Sequence, residues 1–282
     1  MKSIFIHTEK VASKIGSVCR NIAHPQKVAF MHIPKCAGTS IMSSLRDKDQ
    51  MSWAGHIDGP KTRTDYNQYM KRQRSKSEWN LEIERELYQL RQALLIEKFN
   101  RGYPVITGHV PFIHTLKLAH PNYYFFTVVR SPISRFLSAF NYDIAQEKEG
   151  SSYLELLKSK GIDYAFDQYI DSERAVLEGN LLIVFLGEGG KEKLDTDVIE
   201  EKAYQAIDCF DFIGLNENLK SVAEELRRKR IIKSDDLKPK NVTSEKNKNK
   251  TFIKTEQNLK NYQENRVKEI CHKDQKLYDY IK

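Results

Sequence analysis

Residues 27–45 read KVAFMHIPKCAGTSIMSSL: a short, mostly apolar run, a polar turn, and a segment of helical character. A strand that empties into IPKCAGTS and then into a helix from Thr39 to Leu45 is a setting in which backbone N–H groups and a helix dipole hold an anion. Gly38 lets the backbone approach a ligand closely, and Thr39 and Ser40 add hydroxyl donors at the helix start. Lys35 supplies a point charge. The spacing differs from the Walker A pattern, in which the lysine follows the last glycine; here Lys35 precedes the single Gly38 by three residues. Read alone, the stretch is equally an ordinary strand-to-helix turn with a capping Thr or Ser and a solvated lysine.

The pattern repeats outward. Tyr103–Thr107 (YPVIT), Tyr123–Val129 (YYFFTVV) and Phe210–Gly214 (FDFIG) read as further buried strands. Helical periodicity follows at Ser77–Phe99, with Trp79, Ile83, Leu87, Leu90 and Leu94 on one face and Ser75 and Glu78 spaced as a capping box. Helices are also expected at 151–160, 164–171, 174–186, 198–207 and 217–230, the last capped by Asn216, and a closing helix near 255–281. Val11, Ile15, Val18 and Ile22 mark an N-terminal amphipathic helix, and Pro132 suits the first turn of the helix after YYFFTVV. Strands alternating with helices predict an α/β fold, three layers with a central, mainly parallel sheet. The 282 residues read as one domain, with a basic helical insertion at about 47–100 and a basic loop and helix at about 231–282. Residues 47–76 lack periodicity, and 61–76 carry six positive charges and one negative.

The net charge of +8 is uneven: +10 over residues 1–130, −11 over 131–226 and +9 over 227–282. Basic ends around an acidic middle suggest a polyanionic ligand met by specific parts of the chain, not a nucleic-acid-coating protein. The longest apolar run, Leu181–Leu186, is far short of the roughly 20 residues that span a bilayer, and no secretory signal is visible. Cysteines 19, 36, 209 and 271 form no close pair, so neither a zinc ribbon nor a redox motif is present, and a reducing cytosol is the natural setting.

Two further groups of residues carry chemistry. In FFTVVRSPISRFLSAF, Arg130 ends a strand and Ser138 lies two turns into the next helix. A guanidinium fork and a nearby hydroxyl suit a phosphate, although Arg130 can equally pair with a carboxylate and Ser138 can be a packing residue. Among eight histidines, His109 in TGHVPF follows a strand at the same sheet edge as the other two groups. A histidine is well matched to accept a proton near neutral pH; it is equally a side chain satisfied near the core. His32 and His114 are weaker candidates.

Together these motifs resemble the sulfotransferases that use 3′-phosphoadenosine 5′-phosphosulfate (PAPS), especially the branch of Golgi carbohydrate enzymes such as the uronosyl 2-O-sulfotransferases. HIPKCAGTS resembles their 5′-phosphosulfate loop, typically [H/V]-P-K-T-A-[G/S]-T-S, with Cys36 at the more usual threonine. Arg130 and Ser138 resemble the 3′-phosphate site, 95 positions after Lys35. His109 resembles the proposed base; some members add a histidine two positions earlier, where this chain has Thr107. The resemblance implies a P-loop-like fold with PAPS as donor and a hydroxyl acceptor on a glycan or small molecule. It implies that Lys35, Cys36, Ala37, Gly38, Thr39, Ser40, Arg130 and Ser138 bind the donor, with Thr243, Ser244 and Lys246 of the C-terminal basic loop as further contacts. His109 and Lys35 would be catalytic. No metal is implied, and no carboxylate cluster for Mg²⁺ presents itself. The Golgi members carry an N-terminal membrane anchor that this chain lacks, so a cytoplasmic enzyme of bacterial type, or a domain without its anchor, is expected, with neither a membrane nor a nucleic acid as partner. An ATP-dependent small-molecule kinase with an atypical loop and a non-catalytic polyanion-binding module are the alternatives.

Overall fold

Strand β4 (Tyr123–Val129) is buried at every position, and a strand covered on both faces must lie inside a sheet with further layers above and below it. The computed structural model describes residues 26–45, 55–70, 81–145, 152–189, 197–232, 237 and 254–282. Within these, β4 pairs in parallel with β1 (Lys27–Met31) on one side and β5 (Phe212–Leu215) on the other. On its far side β1 pairs in parallel with β3 (Val105–Gly108), which in turn carries the short edge strand β2 (His56–Ile57). The sheet order is β2-β3-β1-β4-β5.

The described helices are α1 (Gly38–Leu45), α2 (Gly59–Tyr69), α3 (Leu81–Asn100), α4 (Thr115–Ala119), α5 (Pro132–Ala145) and α6 (Ser152–Lys160). They continue as α7 (Ile162–Ile170), α8 (Glu173–Gly179), α9 (Leu181–Leu186), α10 (Asp197–Ile207), α11 (Leu219–Arg228), α12 (Asn261–Ile270) and α13 (His272–Ile281). Alternation along the strands divides the core between them. Ala29, Ile106, Tyr123, Phe125 and Val129 pack against α3, α9, α10 and α13, while Val28, Phe30, Tyr124, Phe126 and Val128 pack against α1 and α11. Two faces of one sheet, each sealed by helices, give the three-layer α/β fold that the sequence predicts. A third cluster, built around Phe136, Phe140, Phe166 and Tyr169, joins α5 to α7, α8 and α12.

The differences from expectation have local causes. Residues 55–70, read as aperiodic, contribute β2 to the sheet and then α2. That helix is held by its cap rather than by an apolar stripe: Asp58 accepts the Lys61 amide at 2.8 Å, Pro60 sits in the first turn, and Thr62 is its buried residue. The buried face of α3 is rotated from the expected one, running through Leu87, Tyr88, Arg91, Gln92, Leu95 and Phe99, with Leu90 exposed. The expected helix 174–186 breaks at Asn180, where the Asp274 carboxylate accepts the amides of Leu182 and Ile183 at 2.8 and 3.0 Å. The closing helix is divided at Cys271, and the cap of α11 is Asn218, not Asn216. Val11–Ile22, Trp79 and the Ser75/Glu78 box lie outside the described residues.

Candidate active site

In a parallel sheet the carboxyl ends of the strands share one edge, and ligands bind where the connections diverge to opposite sides. That point lies at β1, whose neighbours are β3 and β4. Lys35, His109 and Arg130 all follow the ends of these three strands, so the fold brings together the three groups singled out in the sequence.

The loop after β1 turns sharply. Lys35 and Ala37 both adopt left-handed backbone, with φ of 67° and 57°, a conformation that costs a non-glycine residue energy and clusters at functional loops. Cys36 between them points into the core, fully buried, and burial pushes its thiol up to about 12. Its amide donates to Ile33 O at 3.3 Å and that of Ser40 to Ala37 O at 3.0 Å. These bonds shape the loop without engaging the amides of Ala37 and Gly38. Cys36 thus gives its side chain to the core and its amide to the turn.

The Lys35 side chain lies over the Tyr142 ring, 3.9 Å from its centroid. Burial lowers its pKa to about 8, against the opposing pull of Asp143, and the Arg130 charge lowers it further. Arg130 also reaches the loop directly, donating from Nη1 to Lys35 O at 3.5 Å. Just past Arg130, the Ser131 amide donates to Glu217 Oε1 at 2.8 Å, which fixes the turn into α5. Ser138 is half-buried on α5. Arg135, one turn earlier, is not part of this group. It is fully buried and donates to Glu178 Oε2 at 3.0 Å, bracing α5 against α8.

His109 is half-buried at the end of β3. Burial lowers its pKa to about 4, followed by the charges of Arg91, His56 and Lys35, so the ring is neutral at pH 7. Gln92 Nε2 donates to Pro111 O at 3.4 Å and Phe112 N to Phe185 O at 2.7 Å, holding the segment that leaves His109. Thr107 directs its hydroxyl to Met42 Sδ at 3.2 Å, away from any supporting role at His109. His114 is structural, its Nε2 sitting 2.9 Å from Leu186 O.

His32, a weaker candidate in the sequence, packs edge-to-face on His109, with ring centroids 4.1 Å apart. Arg91 on α3 was not among the sequence candidates. Arg91 is 7% exposed, donates from Nη2 to Gly59 O at 3.2 Å, and leaves its buried Nε without a partner. The available signal for Arg91 was its spacing, four residues after Leu87 and four before Leu95, which puts a charge in the middle of a buried stripe. Thr243, Ser244 and Lys246 lie outside the described residues. The chain before them contributes Leu237 to the core beside α1, and the chain after them is fastened to α5. There Asn141 donates to Lys254 O at 2.7 Å and accepts the Lys254 amide at 2.9 Å. The basic segment 61–76 is partly neutralised by its own surroundings: Lys61 pairs with Asp65 at 2.6 Å, and Arg63 with Glu84.

Chemically, the edge offers two cations and the start of a helix for an anion, with an uncharged imidazole beside them. Among the described residues no cluster of His, Cys, Asp or Glu has the make-up of a metal site, and no helix is long and apolar enough to cross a membrane. No curated protein matches the chain in sequence. The chain does match the sulfotransferase family over residues 20–281, which takes in the whole sheet and every helix described above. A family match of that extent, over a parallel α/β sheet flanked by helices, makes this chain a member of the sulfotransferase family and a sulfuryl-transfer enzyme.

Proposed function

We propose that the enzyme takes its sulfuryl group from PAPS and passes it to a hydroxyl of a carbohydrate or small metabolite, with His109 as the base. The observation that carries this reading is the arrangement of Lys35, Arg130 and His109 at the ends of three adjacent strands, with Arg130 bonded to the Lys35 carbonyl. PAPS supplies an activated sulfuryl group whose leaving group is the 5′-phosphate of adenosine 3′,5′-bisphosphate (PAP). Arg130 and Ser138 hold the 3′-phosphate, and the fixed distance between their elements and the loop sets the donor's direction. The amides of Ala37 and Gly38, the hydroxyls of Thr39 and Ser40, and the Lys35 ammonium receive the 5′-phosphate and stabilise the charge that develops on its bridging oxygen. His109, uncharged at pH 7, accepts the proton of the acceptor hydroxyl as the new O–S bond forms. Thr243, Ser244 and Lys246 would add contacts from the C-terminal loop.

Calorimetry with PAP and with ATP tests the donor: PAP should bind with a micromolar or better constant, about −8 kcal/mol, and ATP far more weakly. Incubation of candidate acceptors with PAPS, read as a mass gain of one sulfuryl group, then identifies the acceptor. Lys35→Ala should abolish measurable transfer, and His109→Ala should lower it about a hundredfold to ten-thousandfold, leaving a residual rate that can be followed. Failure of PAP to bind would remove the donor reading, and a fully active His109→Ala would remove the base.

A further inference from the structure

The contact between His32 and His109 follows from strand pairing. The β1–β3 register sets Met31 opposite Gly108, so the next residue of each strand emerges at the same point of the sheet edge. There the two imidazoles meet at 4.1 Å and an interplanar angle of 72°. The His32 ring is itself fixed on two other sides. It stacks on Phe30 at 5.2 Å, and Phe30 stacks on Phe126 at 4.7 Å, so the ring rests on a column rooted in β1 and β4. Above, it fills the space of a missing side chain: a Cβ on Gly38 would lie 1.5 Å from His32 Nε2. Gly38 is the first residue of the helix that opens the anion loop. Burial, then the charge of His109, hold the His32 pKa well below its usual value, so this ring too is uncharged at pH 7.

We infer that His32 is a positioning residue for the base: clamped between Phe30 and Gly38, its ring fixes the orientation of the His109 imidazole and ties it to the donor loop. This rests on the reading of His109 as base. In the transfer, the acceptor oxygen forms a bond to sulfur as the bond from sulfur to the 5′-phosphate oxygen breaks. The acceptor proton passes to His109 and leaves to solvent after PAP departs. His32 gains and loses nothing, and an uncharged neighbour does not oppose the imidazolium that His109 becomes. Thr107, two positions before His109, directs its hydroxyl to Met42, and the ring that meets His109 comes from the neighbouring strand.

The test compares wild type, His32→Ala, His32→Gln, His109→Ala and the double variant His32→Ala/His109→Ala. PAP release from PAPS to water, an acceptor that is always present, measures turnover; calorimetry measures PAP affinity, and thermal denaturation checks folding. His32→Ala should lower kcat about tenfold to a hundredfold, a part of what a base contributes, with the PAP dissociation constant within about twofold of wild type. In the His109→Ala background the same change should have no further effect, because a residue that acts only through another is non-additive with it. His32→Gln, which keeps a planar polar group, should recover part of the loss and stands in if the alanine variant fails to fold. Wild-type kcat in His32→Ala, a parallel loss of PAP affinity, or additive losses in the double variant would each overturn the inference while leaving His109 as base. A fully active His109→Ala single variant would instead remove the base assignment on which it rests.

Discussion

Arg130 donates a hydrogen bond from Nη1 to the carbonyl oxygen of Lys35 at 3.5 Å. The bond joins the end of β4 to the turn after β1, and the left-handed backbone of Lys35 is part of the geometry that brings them together. In the proposed reading Arg130 thus has two tasks, contacting the 3′-phosphate and bracing the loop that receives the 5′-phosphate. Arg130→Ala should weaken PAP binding about tenfold to a hundredfold, the worth of one charge-assisted hydrogen bond at about 1.5–3 kcal/mol. Arg130→Lys should recover little, because a single ammonium cannot present two donors in a plane. Calorimetry of the two variants measures both effects.

The pH dependence of kcat/KM for PAPS should be a broad bell. His109 must be uncharged to accept a proton, and its lowered pKa of about 4 keeps it so everywhere above that value. Lys35 must be charged, and its pKa of about 8 means the cation is lost as the pH rises through that value. Activity should therefore rise near pH 4, hold through neutrality, and fall above about 8. Lys35→Arg should carry the alkaline limb beyond the range in which lysine titrates; an alkaline limb unmoved by that substitution would show that another group sets it.

Gly38→Ala should drive the His32 ring from its place, since the added methyl would meet Nε2 at 1.5 Å. Displacements of about 1 Å around a reacting group cost on the order of a hundredfold in rate, so turnover should fall by about that factor, and PAP affinity should fall as the crowded loop shifts. Removing the ring as well, in Gly38→Ala/His32→Ala, gives the methyl room. PAP affinity of the double variant should then recover relative to Gly38→Ala, whereas a glycine needed only for backbone approach to phosphate would show no recovery.

Asp274 is fully buried and accepts the amides that open α9. Asp274→Ala would leave two buried N–H groups unpaired, at about 1–3 kcal/mol each. An overall loss of about 2–6 kcal/mol in urea denaturation is expected. Asp274→Asn, which keeps one acceptor oxygen, should lose less.

The strands and the loop were legible because each follows from local pattern. YYFFTVV is apolar at nearly every position, and such a run has no stable place except inside a sheet covered on both faces, as β4 is. Pro132 opens α5 where its fixed φ and missing N–H suit a first helical turn. The polar helix α2 was not legible, because its stability comes from the Asp58 cap and from contacts made by Arg63 and Thr62 rather than from apolar periodicity. For the same reason the inner face of α3 was read a few positions off: periodicity counts apolar residues, and here Arg91 and Gln92 are buried to meet Gly59 and Pro111.

Residue type and spacing over short stretches are enough for the strand-loop-helix order, the parallel α/β class, and the choice of Lys35, Arg130 and His109 as the residues to follow. How these groups meet is a matter of the three-dimensional fold. Strand register set His32 against His109, Gly38 proved to be the space its ring fills, and Arg135 was withdrawn into the core to brace α5 against α8. Such relations depend on which strands pair and in what register, and pairing across dozens of residues is settled by burial over the whole sheet, not by any local run of side chains.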